Sequence, residues 1–186
     1  MPWNNPKAPV QGYAPRGLDV DSKGIVWTVL SSGHFASFDR SKCKGPLNGP
    51  TAATGQQCPE GWTLYPFPGP NYKGAVENGS AESVYYDFVD RFDMLGAGKD
   101  IPIATGNLSE GLLVLVDGKF MTLRVPYPMG FYAKGLDGRI DNPQGGWKGK
   151  GIYTPIATRA PFHMEGGKGT TSKLVKFQMR PDPLAN

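Results

Sequence analysis

The tripeptide Gly17-Leu18-Asp19 returns as Gly135-Leu136-Asp137, and each copy leads into the same phrase, Lys23-Gly24-Ile25 in the first and Lys150-Gly151-Ile152 in the second. A chain that repeats short phrases in a fixed order is built from repeated supersecondary units, each too small to bury its own apolar face. The clearest copy, "RGLDVDSKGIVWTVLSSGHFASFDR", divides into a strand over 17–20, a turn over 21–24, a strand over 25–30, a glycine turn and a strand over 35–39. An Asp-Ser-Lys-Gly turn between β-rich runs is a hairpin signal. Val26, Thr28 and Leu30 alternate with Ile25, Trp27 and Val29, so apolar residues stand on both faces, as in a sheet covered on both sides. "GWTLYPFPGP" then supplies a fourth strand ended by prolines, which suit an edge where a missing N–H costs nothing.

Two further units follow. "SEGLLVLVDGKFMTLRVPYPMG" predicts a strand over 112–116, a turn at Asp117-Gly118 and a proline-ended strand over 119–125, with "SVYYDFVDRFDMLG" and "KDIPIATG" upstream supplying the earlier strands. In the last unit "GIYTPIAT" repeats "GIVWTVLS", and "SKLVKFQMRP" repeats "HFASFDR". Insertions such as "IDNPQGGWKG" and "MEGGKGTT" fall at turns. The 26 Gly and 18 Pro are spread along the chain as punctuation, and few stretches of a dozen residues escape both, so little helix is expected.

Four short strands in roughly 40–50 residues is the size of a propeller blade; the competing reading is a generic sandwich of short strands. The predicted fold class is all-β, a partial β-propeller of about three four-stranded antiparallel blades with Gly/Pro-rich turns. Residues 1–13 read as the tail of a preceding blade, 14–72 as a blade, 80–130 as a degenerate blade, and 131–186 as a terminal blade lacking its fourth strand. Natural propellers close with about four to eight blades. Three units therefore predict a segment of a larger ring. Each open end is expected to expose a face rich in Val, Leu, Phe and Tyr, and to pack against the remaining blades or other protein chains.

Cys43 and Cys58 flank a polar Gly/Pro loop. Two cysteines without a His at ligand spacing do not make a structural zinc site, so no metal is assigned. A disulfide closing the loop is favoured over a pair of free thiols, and it places the chain in the periplasm or outside the cell. The opening "MPWNNPKAP" carries no signal-peptide pattern, as expected if Met1 is an internal start. No apolar run reaches the ~18–20 residues of a membrane span. The net charge of +4 comes from scattered lysines instead of a dense basic stripe, which argues against nucleic acid as a partner.

"PRGLDVDSKGIVWTVLSSGHFASFDR" followed by "WTLYPFP", residues 15–68, resembles the blades of streptogramin B (virginiamycin B) lyase-like propellers, a phrase shared with NHL-type binding propellers. The whole chain also resembles the C-terminal region of exported bacterial proteins that join a carboxypeptidase-regulatory-like domain to such a propeller. The resemblance implies one of two functions. The favoured one is a non-catalytic binding or scaffold propeller whose small-molecule or peptide ligand is unspecified. The alternative is a metal-assisted lyase, opening a cyclic peptide at its ester by elimination, or a hydrolase, with part of the site outside this chain. Mg²⁺ is a possible cofactor through this resemblance alone. The family's catalytic His stands near the blade opener, where this chain has Arg16, Glu110 and Lys134. Those three are the predicted binding residues, since the openers of a propeller lie near its central channel.

His163 and Glu165 are the only His–carboxylate neighbours, and in an extended segment they share one face. They are candidates for a shared proton or metal, set against an exposed loop before "GGKGTTSK", which lacks the spacing of a phosphate loop. Tyr85, Tyr86, Phe88 and Phe92 read as core in preference to a sugar-stacking surface.

Overall fold

The computed structural model describes residues 2–71, 79–127, 129–156 and 173–185. Their strands form three antiparallel sheets. The first runs in the order β1 (Pro15–Val20), β2 (Val26–Leu30), β3 (His34–Phe38), β4 (Trp62–Pro66). The second follows as β5 (Asp87–Asp90), β6 (Ile101–Gly106), β7 (Gly111–Val116), β8 (Lys119–Arg124). The third has β9 (Asp137–Ile140), β10 (Lys150–Ile156) and β11 (Lys173–Phe177). Each sheet is an up-and-down meander, and the helical residues described lie in short 3₁₀ turns such as Pro143–Gly149. The proline-ended strands β4 and β8 stand at sheet edges, where proline's missing donor leaves no ladder bond unmade.

The turn residues explain the repeated phrases. Asp21 Oδ1 accepts the backbone N–H groups of Lys23 and Ile25, both at 2.9 Å, and its Oδ2 accepts the Trp27 indole N–H at 3.2 Å. One carboxylate thus ties the β1–β2 turn to the side chain that opens the core. Asp90 plays the same part in the second sheet, accepting the Met94 and Leu95 N–H groups at 2.8 Å. Asp117 and Gly118 both have positive φ, 49° and 73°, which is the backbone of a two-residue type I′ hairpin turn.

The middle sheet is buried on both faces. Ala104, Leu113 and Leu115 pack with Val29, Phe35 and Phe67 of the first sheet and its exit. Their neighbours Ile103, Leu112 and Val114 point the other way, onto Phe131, Ile152, Ile156 and Phe177. The period of two in β7, Leu112-Leu113-Val114-Leu115, therefore feeds two cores at once, each fully buried side chain stabilising by about 1.5–3 kcal/mol.

The outward faces differ from the expectation of two bare apolar surfaces. On the first sheet Thr28, Leu30, His34 and Ala36 are buried. Residues 2–13 help to cover them: Gly12 lies against Leu30 and Leu64 so closely that a Cβ there would sit 2.7 and 2.6 Å from their methyl groups. The segment is pinned by Asn5, whose Nδ2 donates to Gln56 O, and by Gln56, whose Nε2 donates to Trp3 O. On the third sheet the outward side chains described include Arg139, Tyr153, Leu174 and Lys176, a mixed surface on which only Leu174 is a strongly exposed large apolar group. The aromatic run also departs from prediction. Phe88 packs on the core, but Tyr86 and Phe92 are exposed at 44% and 68%, because β5 spans only Asp87–Asp90 and both lie beyond its ends.

Cys43 and Cys58 form the disulfide, with Cα atoms 5.1 Å apart. No described helix is long and apolar enough to cross a membrane.

A hydrogen bond recurs between first and second strands. Thr28 Oγ1 donates to Gly17 O at 2.8 Å, and Thr154 Oγ1 to Gly135 O at 2.7 Å. Both threonines are buried. Replacing either by Val keeps the volume and strands a carbonyl, so urea denaturation should show a loss of about 1–2 kcal/mol per substitution. An unchanged midpoint would mean that water reaches these carbonyls.

Candidate functional site

Three first strands begin at one end of the stack. Asp19 pairs with Trp27, Phe88 with Ile103 and Asp137 with Tyr153. The residues after those partners, Thr28, Ala104 and Thr154, fill the same place in each second strand. Counting back three residues from the first-strand partner gives Arg16, Tyr85 and Lys134. These are the equivalent opener residues, and the structure brings them together. The Arg16 guanidinium carbon lies 4.8 Å from the centre of the Tyr85 ring, and Lys134 Nζ lies 5.1 Å from the same point. Lys134 Nζ is also 5.8 Å from the Tyr132 ring.

Arg16 and Lys134 were the expected pair; Glu110 does not belong with them by position. It sits between β6 and β7, with φ 56°, and its carbonyl accepts the Val125 N–H at 2.9 Å. Gly33 makes the matching bond in the first sheet, with φ 82° and its carbonyl accepting Phe67 N–H at 3.0 Å. Placing Glu110 among the openers is at odds with the earlier strands expected upstream of it, and Gly111 starts the third strand of its sheet. Tyr85 holds the place assigned to Glu110. The sequence carried the signal: Val89-Asp90 repeats Val20-Asp21, and aligning the two puts Tyr85 over Arg16.

The two tyrosines are coupled. Tyr132 O–H donates to Tyr85 Oη at 2.9 Å, and the rings meet edge to face at 5.7 Å. That donated bond holds the Tyr85 phenol below its ordinary pKa, helped by Arg16 and Lys134. Burial, and its role as donor to Tyr85, push Tyr132 up to about 12. Among the described residues neither Arg16 nor Lys134 has a carboxylate partner.

A backbone irregularity aims Arg16. The β1–β2 register shifts between Arg16 and Asp19, a bulge in which Gly17 has φ 65°. A Cβ at Gly17 would stand 2.7 Å from Asp87 Oδ1. Both Asp87 carboxyl oxygens are buried without a hydrogen-bond partner among the described residues. Burial, reinforced by the neighbouring Asp19 carboxylate, pushes the Asp87 pKa up to about 8. Asp19 is better served, accepting the Val89 N–H at 2.8 Å and lying 3.8 Å from Arg91.

His163 and Glu165 lie outside the described residues. His34 is buried in β3, with Nδ1 3.1 Å from Ser32 Oγ. Among the described residues no three His, Cys, Asp or Glu side chains gather as a metal site. The opener cluster presents two cations, which does not suit Mg²⁺. No family model, curated protein or solved structure matches the chain.

Proposed function

We propose that the three sheets are consecutive blades of a β-propeller, and that the chain is a non-catalytic binding segment of an exported bacterial protein, taking its ligand at the end where the first strands begin. The observation that carries this reading is the meeting of Arg16, Tyr85 and Lys134, each at or just before the first strand of a different sheet, at a single tyrosine ring. Loop and strand-start residues held by a rigid stack of sheets are the usual setting for recognition. The Cys43–Cys58 disulfide supports a periplasmic or extracellular location. Among the described strands β11 pairs only with β10, whereas the other two sheets have four strands, which supports remaining blades or another chain as a partner at that edge.

The test is to titrate ¹⁵N-labelled full chain with a panel of neutral and charged small molecules and short peptides. Ligand-induced shifts should concentrate on amides near Arg16, Tyr85 and Lys134. No saturable shift at that end, or saturable shifts confined to β4 and β8 at the far edges, would overturn the reading.

A further inference from the structure

The opener cluster has more donors than the protein uses. Tyr85 accepts its hydrogen bond from Tyr132, so its own O–H hydrogen points elsewhere, and no described group accepts it. Arg16 and Lys134 hold two positive charges against one ring, and both side chains are exposed. The ring face offsets part of their mutual repulsion. A guanidinium fork, an ammonium and a phenol O–H around one point, with no acid among the described residues to neutralise them, is the donor set that recognises an oxygen anion. The nearby acids are otherwise engaged: Asp19 is bound to the Val89 N–H and Arg91, and Asp87 is buried against Gly17.

We propose that Arg16, Lys134 and the Tyr85 hydroxyl form a subsite for the carboxylate or phosphate group of a small ligand, with Tyr132 as the positioning residue that turns the Tyr85 hydroxyl outward. This rests on reading the opener end as the binding site and adds the chemical class of what is bound. The ligand's oxyanion replaces water around the two cations and bridges the first and third sheets across the second. Tyr132 acts through Tyr85. Losing its hydroxyl frees Tyr85 to donate toward Tyr132's place and loosens the geometry without removing a charge.

The experiment titrates the full chain with inorganic phosphate and, separately, with acetate, each against sodium chloride at matched ionic strength, following amide and Arg16 Nε resonances. Phosphate or acetate should give saturable shifts at Arg16, Tyr85 and Lys134 that chloride does not, and the stronger of the two identifies the oxyanion. Arg16→Met and Lys134→Met should each weaken binding about tenfold or more, the size of one charge-assisted contact. Tyr85→Phe should weaken it less, and Glu110→Gln should leave it unchanged. All four positions are at the surface or in a turn, and an unaltered amide spectrum elsewhere verifies folding. Shifts equal to those of chloride, or saturation that survives Arg16→Met together with Lys134→Met, would overturn the proposal. A neutral ligand binding at this end with affinity untouched by those two substitutions would overturn the anion assignment while leaving the binding function standing. If neither anions nor the ligand panel perturb this end, both readings fall.

Discussion

Raising the pH from 4 to 8 should destabilise this protein, and Asp87→Asn should abolish much of that loss. Asp87 has an ordinary carboxyl pKa of 3.8 when unfolded and about 8 when folded. The folded state therefore holds its proton more tightly. The stability linked to that proton is fully present below about pH 4, declines through the interval between the two values, and is gone above pH 8. Over the whole interval the linkage is on the order of 6 kcal/mol, because each unit of separation corresponds to about 1.4 kcal/mol. The cause is local: the Asp87 oxygens are buried without a partner and face Asp19 across the β1–β5 contact. Asparagine is isosteric and cannot ionise, so the variant should match the parent near pH 4 and exceed it at pH 8. Urea midpoints for both proteins at half-unit steps give the difference directly. Parallel curves for parent and variant would show that water or a donor reaches the carboxylate.

The second large effect concerns the cysteine loop. Replacing Cys43 and Cys58 together by alanine releases a closure across 15 residues of sequence, which in the chain-entropy model costs about 3 kcal/mol. For a chain of this size that corresponds to about 6–12 °C in melting temperature. A second consequence adds to it. The loop carries Gln56, which holds Trp3 and Asn5, and those residues anchor the segment lying over Leu30 and Leu64. Loosening the loop should therefore uncover part of the first sheet's outer face, read as increased binding of a hydrophobic dye before melting begins. Thiol titration of unfolded, unreduced parent should find no free thiol, and two after reduction. Two free thiols before reduction, or a melting temperature unchanged in the double variant, would show that the bridge does not contribute in solution.

Much of the architecture was legible because the repeated residues have local jobs. Asp21 and Asp90 tie turns, Asp117-Gly118 forms one, and prolines end the edge strands, so each mark can be read without knowing the tertiary packing. The opener of the second unit was not legible in the same way. It lacks the Gly-Leu-Asp phrase, and the residues before the apolar run at Leu112 are set beside the other two openers although earlier strands are expected upstream. Glu110 followed from that misplacement. Arg16 and Lys134 could be singled out because each precedes a copy of the repeated phrase, but their meeting at Tyr85 depends on how the sheets stack. The cover over the first sheet was equally hidden: nothing in residues 2–13 announces that Gly12 is needed for close approach to Leu30.

The middle sheet shares its two faces between two cores, and this sets the order in which the molecule can come apart. Losing the first or the third sheet strips only one face of β6 and β7, leaving the other still packed. The amides of Leu112 to Leu115 are therefore expected to exchange only through global unfolding, while the outer strands exchange through smaller openings of their own. By the same reasoning the middle sheet has no way to mature alone, since β7 must wait for a neighbour on each side before its alternating leucines leave water. The three sheets are then expected to gain their packing together instead of one after another.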